Sequence, residues 1–361
     1  MSFDRFMELA LYCPGSGYYE KEADTVGRQG DFYTSVSVGD LFGQLLAFQF
    51  AAWLEDLDVG RHANGPRALR IVEAGAHDGR LAADILGWFH NGRPSWSDRI
   101  QYWLVEPSEH QWKRQQARLA PFAGQVHRVA AFHEIPGGVT GIIFSNELLD
   151  AMPVQRFGWD SNQGAWFEWR VGLAGNQFVW IRHSRSLPKE ELDGENEVPA
   201  RLSKLLEFPE LLAVLPDGFT VELCPRAEEW WRGAASALQK GKLLTFDYGL
   251  TEKELISPAR AEGTLRAYRG HKLMRDVLAD PGDQDITASV NFTAIQSAGE
   301  KAGLHTEALQ SQTAFLTRIA RRAWETDSEF GNWTDSQTRQ FQTLTHPEHL
   351  GRAFRVLLQS R

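Results

Sequence analysis

The segment Glu73-Ala74-Gly75-Ala76-His77-Asp78-Gly79 joins a short apolar run, Leu69-Arg70-Ile71-Val72, to an amphipathic stretch from Arg80 to Phe89. A glycine-rich turn between a strand and a helix lets the backbone approach a ligand closely. The G-x-G-x-x-G spacing that cradles a pyrophosphate is absent, and an acid at the strand end would repel one. Glu73 suits instead a nucleoside that carries positive charge, such as S-adenosylmethionine with its ammonium and sulfonium. Glu106 closes the next apolar run, Tyr102-Trp103-Leu104-Val105, at the place where a carboxylate accepts both hydroxyls of a ribose. A further strand end carries Ser145-Asn146-Glu147, with Asp150 just beyond. Two readings stand there. Ser145 or Asn146 caps a following helix whose positive end favours Glu147 and Asp150, or the acids belong to a site, since ligands in open α/β sheets gather at strand ends.

The elements that must position these residues alternate in type. Apolar runs at 69–72, 102–105, 126–131 and 141–144 read as strands, with helical patterns over 80–89 and from 106 to about 120. Such alternation implies parallel pairing through right-handed crossovers, hence a doubly wound α/β sheet. Period-2 segments between 154 and 182 predict an antiparallel insertion. Residues 183–200 read as loop. A helix near 200–215, a strand at 219–223 and a helix over 226–239 then return the chain to the sheet, whose fifth strand is 242–249. Helices are expected over 3–12 and from Leu41 to Trp53, and at the C-terminus, where Thr345 and Glu348 form a capping box. The expected organisation is an N-terminal helical lid (1–60), the first part of the core (61–153), an insertion (154–218) and the remainder of the core (219–361) with a long loop at 250–290.

Composition narrows the possible partners. The 361 residues are 42% hydrophobic and 24% charged, ordinary for a globular protein, and 13 tryptophans argue against disorder. A net charge of −9 argues against broad binding to nucleic acid or to an anionic membrane. No apolar run approaches a membrane span, and charges within Met1–Leu11 exclude a secretory signal. A cytoplasmic protein is therefore expected. Two cysteines make no disulfide framework. His346-x-x-His349 lacks a third ligand nearby, so no metal is expected.

Several motifs follow one another along the chain: Gly27-x-x-Gly30-Asp31-Phe32-x-Thr34-Ser35, Glu73-x-Gly75, Asn146-Glu147-Leu148-Leu149-Asp150-Ala151-Met152-Pro153-Val154, Asp247-Tyr248-Gly249, Gly263-Thr264-Leu265-Arg266, Gly270-His271 and Asp285-Ile286-Thr287-Ala288. The set resembles the MidA-like family of class I S-adenosylmethionine-dependent methyltransferases over nearly the whole chain. The resemblance implies that family's Rossmann-like sheet, S-adenosyl-L-methionine as cofactor, and a protein arginine as methyl acceptor. The family includes an arginine methyltransferase that acts on a subunit of respiratory complex I. It further implies a cofactor site from Gly30, Asp31, Thr34, Ser35, Glu73, Gly75, Ala76, His77, Gly79, Glu106, Ser145 and Asn146, with Asp31–Ser35 as a lid over the methionine end. A guanidinium is planar and always charged, so as acceptor it needs carboxylates to hold it in line with the methyl group. Glu147 is the first candidate, followed by Asp150 and Glu222, the last of which also reads as an ordinary strand residue. Tyr248, Arg266, Tyr268 and His271 are candidate substrate residues. The chain departs from the family at His77, where glycine is usual, and at Ser289 and Asn291, where histidine and aspartate are usual. The alternatives are a non-catalytic assembly or docking factor that keeps the fold, to which His77 points, and a nicotinamide-dependent oxidoreductase, disfavoured by the missing G-x-G-x-x-G.

Overall fold

The computed structural model describes residues 1–21, 34–58, 69–97, 99–184, 202, 209–326, 333–347 and 350–361. The chain forms two compact units built from interleaved segments. A core unit comprises Glu22–Asp150, Ala227–Gly249 and Ala294–Arg361; a second unit comprises Met1–Lys21, Ala151–Arg226 and Leu250–Thr293. In chain order the strands are β1 (Leu69–Ala74), β2 (Ile100–Val105), β3 (Val126–Val129), β4 (Val139–Asn146), β5 (Gln155–Asp160), β6 (Ala165–Ala174), β7 (Gln177–Ser184) and β8 (Thr220–Leu223). They continue with β9 (Leu238–Leu250), β10 (Arg266–Arg269), β11 (Lys272–Met274), β12 (Asp285–Thr287), β13 (Val290–Asn291), β14 (His305–Ser311) and β15 (Phe354–Ser360). The helices that matter below are α1 (Phe3–Tyr12), α2 (Ser35–Val38), α3 (Leu41–Asp58), α4 (Arg80–Gly92), α5 (Glu109–Leu119), α6 (Pro225–Ala237), α7 (Gln312–Thr326) and α8 (Asp335–Thr345).

The core unit is a doubly wound sheet ordered β14-β15-β9-β4-β1-β2-β3. β15 runs antiparallel to both its neighbours, and the remaining pairs are parallel. Ile71 and Val72 in β1, and Ile142, Ile143 and Phe144 in β4, are fully buried although they point alternately to opposite faces. Only a parallel sheet covered on both sides lets consecutive apolar residues all leave water. The helix α3 is apolar around most of its circumference, which makes it a buried helix. Its Phe42 meets Phe246 of β9 edge-on at 5.5 Å, and its Phe50 meets Phe144 at 5.2 Å. Phe246 in turn meets Phe315 of α7 at 5.3 Å.

The sheet also places the strand ends. From β1 the chain proceeds outward through β2 and β3, then crosses back to β4 on the other side. The order therefore reverses between β1 and β4, the crevice where open α/β sheets bind ligands. Glu73 stands beside Phe144 and Ala74 beside Ser145 in the β1–β4 register, while Ala74 pairs with Val105 of β2. Three loops consequently leave the sheet side by side.

The second unit holds an antiparallel sheet ordered β7-β6-β5-β8 and a smaller one ordered β11-β10-β12. Phe157, Trp159, Trp166, Phe219 and Val221 form its core. On α1, Phe3 packs on Trp180 at 4.9 Å and Phe6 on Phe178 at 5.3 Å.

Several expectations change. β8 pairs with β5 in the second unit, so the chain regains the core sheet only through β9. The stretch 1–60 read as one N-terminal segment is shared, α1 lying in the second unit and α2 and α3 in the core unit. Residues 250–290, read as loop, carry the three-stranded sheet. The third strand stops at Val129. Thr345 ends α8 rather than starting a helix, the capping box is formed by Thr334 and Gln337 at that helix's other end, and the chain closes in β15. Glu348 and most of 183–208 lie outside the described residues.

Because Phe246 links α3, β9 and α7, Phe246→Ala removes a ring from a site that two elements wall off. The expected loss of stability is about 3–5 kcal/mol, read as a lowered urea midpoint by tryptophan fluorescence.

Candidate active site

The turn after β1 leaves no room for a side chain at Gly75. Its φ is 70°, and a Cβ there would stand 2.7 Å from Leu148 Cδ1. His77 also takes left-handed backbone, with φ 47°, a conformation uncommon outside glycine. Asp78 caps α4 by accepting from the Arg80 amide at 3.0 Å, and it accepts from Arg118 Nη2 at 2.7 Å. Burial alone would raise its pKa, but the His77 side chain, the Arg118 charge and the Arg80 amide hold it down at about 2. Gln115 of α5 braces the turn to the end of β2. Its Nε2 donates to His77 O and to Glu106 Oε2, both at 2.9 Å. Glu106 Oε1 accepts from the Ser108 amide at 2.9 Å.

Glu73 lies beneath this turn rather than open to it, at 2% exposure. Tyr102 Oη donates to its Oε2 at 2.5 Å. Removal from water pushes its pKa up to about 8; the Tyr102 bond opposes the rise, and the Asp78 and Asp84 charges add to it.

No helix follows Ser145, so the capping reading falls. Ser145 Oγ donates to Thr245 Oγ1 at 2.9 Å, and the chain turns at Glu147 with φ 53°. The Glu147 amide donates to Phe246 O at 2.8 Å. Its Oε1 accepts from Asn146 Nδ2 and from the Ser35 amide, each at 3.0 Å. Asp247, at the end of β9 and wholly buried, accepts from the amides of Leu148 and Leu149 at 3.2 and 2.8 Å and from that of Tyr248 at 2.8 Å. Burial raises Asp247 to about 7 in spite of these amides. Asp247 opens the Asp247-Tyr248-Gly249 motif, and spacing in the sequence alone does not mark it as the residue that holds this turn.

The structure thus gathers Thr34, Ser35, Glu73, Gly75, Ala76, His77, Gly79, Glu106, Ser145, Asn146, Glu147 and Asp150 in one unit. Thr34 forms a capping box with Ser37 on α2, and Ser35 Oγ donates to Gln312 at 3.1 Å. Tyr248 belongs to the same unit, its ring edge-on to Phe354. Glu222, Arg266, Tyr268 and His271 belong to the second unit. Glu222 is buried there and accepts from the Thr264 amide at 2.7 Å and from Thr264 Oγ1 at 3.0 Å, with Arg156 Nε at 3.4 Å. Burial raises its pKa, and Arg156 and Thr264 oppose the rise. Gly30 and Asp31 lie outside the described residues.

Among the described residues, His77 Nε2 and Gln115 Oε1 are buried without a hydrogen-bond partner. Orphaned polar atoms around a turn closed to side chains, beside a carboxylate at the next strand end, match a ligand rich in hydroxyl, amino and ring-nitrogen groups. The residues present fit a nucleoside cofactor such as S-adenosyl-L-methionine.

Comparison with known proteins agrees. Residues 45–310 match the model of a family described as S-adenosyl-L-methionine-dependent methyltransferases. The protein arginine methyltransferase NDUFAF7 of Xenopus tropicalis mitochondria is 28% identical over 334 residues, covering 84% of this chain and 68% of that protein. Its Drosophila melanogaster homologue, also mitochondrial, is 24% identical and covers 98% and 79%. A Burkholderia thailandensis protein crystallised with S-adenosyl-homocysteine superposes with a TM-score of 0.82 at 29% identity, covering 100% of this chain and 88% of that one. The mitochondrial relatives overturn the expected cytoplasmic location. Composition separates aqueous from membrane surroundings, not one aqueous compartment from another.

Two outcomes follow from this geometry. Gly75→Ala forces Leu148 aside and strains the turn, so S-adenosylhomocysteine affinity should fall at least about tenfold, by roughly 1.4 kcal/mol or more, in calorimetric titration. Glu73 keeps its proton to about pH 8 in the folded chain but only to 4.5 as an ordinary carboxyl. The folded state then holds the extra proton between those values, so this group's contribution to stability falls as pH rises from about 5 to 8. Glu73→Gln keeps an acceptor for Tyr102 and lacks that slope. Its melting temperature should gain on the wild type between pH 5 and pH 8, and a constant difference would contradict the buried proton.

Proposed function

The chain belongs to the family of S-adenosyl-L-methionine-dependent methyltransferases, and from that premise we propose that it methylates an arginine nitrogen of a protein, a respiratory complex I subunit being the acceptor that the resemblance favours. The observation that carries the acceptor assignment is the carboxylate of Glu147, held from two sides by Asn146 Nδ2 and the Ser35 amide at the end of β4. The relatives named as protein arginine methyltransferases support it.

The bound cofactor supplies a methyl group on a positively charged sulfur. Gly75 would admit it close to the backbone, and Glu106, steadied by Gln115 and the Ser108 amide, would hold its ribose hydroxyls. Glu73 acts from beneath the turn, where a cationic ligand favours the ionised carboxyl. Glu147 orients the guanidinium so that one nitrogen faces the sulfur. Transfer would join that methyl group to the nitrogen as its bond to sulfur breaks, and the proton the nitrogen releases would pass to the Glu147 carboxylate. Positioning supplies most of the rate. Asp150 follows Glu147 closely in the chain and adds a second acid to the acceptor side. Glu222 holds the Gly263–Thr264 loop within the second unit.

The test is transfer of tritiated methyl from S-adenosyl-L-methionine to proteins of a mitochondrial extract, with the labelled residue identified after hydrolysis. Label in methylarginine is expected, and label elsewhere would refute the acceptor. Glu147→Gln should keep cofactor affinity within about twofold and lower transfer at least about 100-fold; retained turnover would remove Glu147 from the mechanism.

A further inference from the structure

Asn146 is tied on one side only. Its Nδ2 donates to Glu147 Oε1 at 3.0 Å, which fixes the plane of the amide and decides which end is oxygen. Its Oδ1, by contrast, is buried with no hydrogen-bond partner among the described residues. A buried acceptor left unmade costs about 1–3 kcal/mol, and the tether prevents the amide from turning it toward protein donors. The same tether sets Oδ1 beside the Glu147 carboxylate at the end of β4, next to the end of β1 where Ala74 pairs with Ser145. One strand end therefore presents two acceptors, one charged and one neutral, next to the turn that receives the cofactor.

We propose that Asn146 Oδ1 accepts an N–H of the very nitrogen that is methylated, so that Asn146 belongs to the acceptor site rather than to the cofactor site. The inference rests on the methyltransferase reading above and adds a substrate contact to it. A terminal guanidinium nitrogen carries two hydrogens in the plane of the group. One acceptor leaves that plane free to rotate about the bond to it. Two acceptors, Oδ1 and the Glu147 carboxylate, fix it, and the open direction is then the face of the nitrogen, along which the methyl group must arrive. The pairing also divides the labour. Methylation releases one proton, which a carboxylate can take and an amide oxygen cannot. Asn146 thus holds the N–H that stays while Glu147 takes the one that leaves. A second carboxylate in its place would supply the acceptor but repel Glu147 and forfeit the tether.

Three variants test this in the extract assay, with S-adenosylhomocysteine affinity read by calorimetry. Asn146→Leu matches the size of the amide without an acceptor. It should lower transfer about 10- to 150-fold, the effect of losing one hydrogen bond to a charged donor, with cofactor affinity within about twofold. Asn146→Asp keeps an oxygen and should retain several-fold more transfer than Asn146→Leu. If Asn146 only tethers Glu147, Asn146→Asp falls at least as far as Asn146→Leu, because both lose the Nδ2 donor and the aspartate also repels Glu147, and the proposal fails. It fails too if Asn146→Leu leaves transfer unchanged, or if cofactor affinity drops with transfer, which would make Asn146 a cofactor ligand. Asn146→Ala is the second acceptor-free variant should leucine prevent folding. Label found on a residue other than arginine removes the arginine reading alone, since the order Asn, Asp, Leu still decides the role of Oδ1. No transfer by the wild type overturns both.

Discussion

Asp247 stands where two requirements meet. The strand β9 must run buried to its end to fill the sheet, yet the turn after β4 leaves backbone N–H groups of Leu148 and Leu149 with no sheet partner. A carboxyl buried without hydrogen bonds costs several kcal/mol, and so does an orphaned buried amide. Placed together, each meets the need of the other: Asp247 accepts from both amides and from its own following residue. The turn that results is too tight for a helix to begin, and Glu147 is driven into left-handed backbone. Non-glycine residues persist there only where the surroundings over-determine them. The amide of Glu147 bonded to Phe246 O, the two amides after it bonded to Asp247, and its carboxylate bonded to Asn146 and Ser35 provide that determination. The position of the acid at the strand end is thus a property of β9 and α2 as much as of β4.

That dependence explains what could be read in the chain and what could not. The parallel strands were legible because consecutive apolar residues such as Ile71-Val72 and Ile142-Ile143-Phe144 are buried on both faces, a pattern with few competing explanations. The antiparallel strands of the second unit were legible from their period of two. The partner of β8 was not, since four residues, Thr220–Leu223, would serve either sheet and their placement is settled by pairing with Gln155–Gly158 far along the chain. Capping boxes misled for a related reason. Thr345 with Glu348 and Thr334 with Gln337 are equally good local patterns, and only the packing of α8 selects the second. Family resemblance supplied the cofactor and the order of the motifs. It did not separate Glu222, which is bonded to Thr264 in the second unit, from Glu147 and Asp150 in the core unit.

The acids of the core unit are not equivalent. Glu73 and Asp247 are wholly enclosed and drawn toward their neutral forms by loss of water. Asp78, close by, is held ionised by His77, Arg118 and the amide that starts α4. Environment therefore sorts carboxyls of the same chemistry into buried proton holders and fixed anions. The distinction bears on the cofactor, whose cationic groups gain from a fixed anion directly but gain from Glu73 only as its proton leaves.

His77 shows how a departure from a glycine turn is tolerated. Left-handed backbone costs a side-chain-bearing residue roughly 1–2 kcal/mol, and histidine accepts it more readily than most. Here Gln115 donates to the His77 carbonyl, and Nδ1 lies 3.9 Å from Asp78 Oδ1, so the residue is held on both its backbone and its ring. The turn keeps the geometry that Gly75 requires at its start and Gly79 at its end. What His77 adds is a buried ring nitrogen, Nε2, without a hydrogen-bond partner among the described residues, in a stretch where glycine offers backbone alone. The substitution thus exchanges conformational ease for an additional hydrogen-bonding group within the turn.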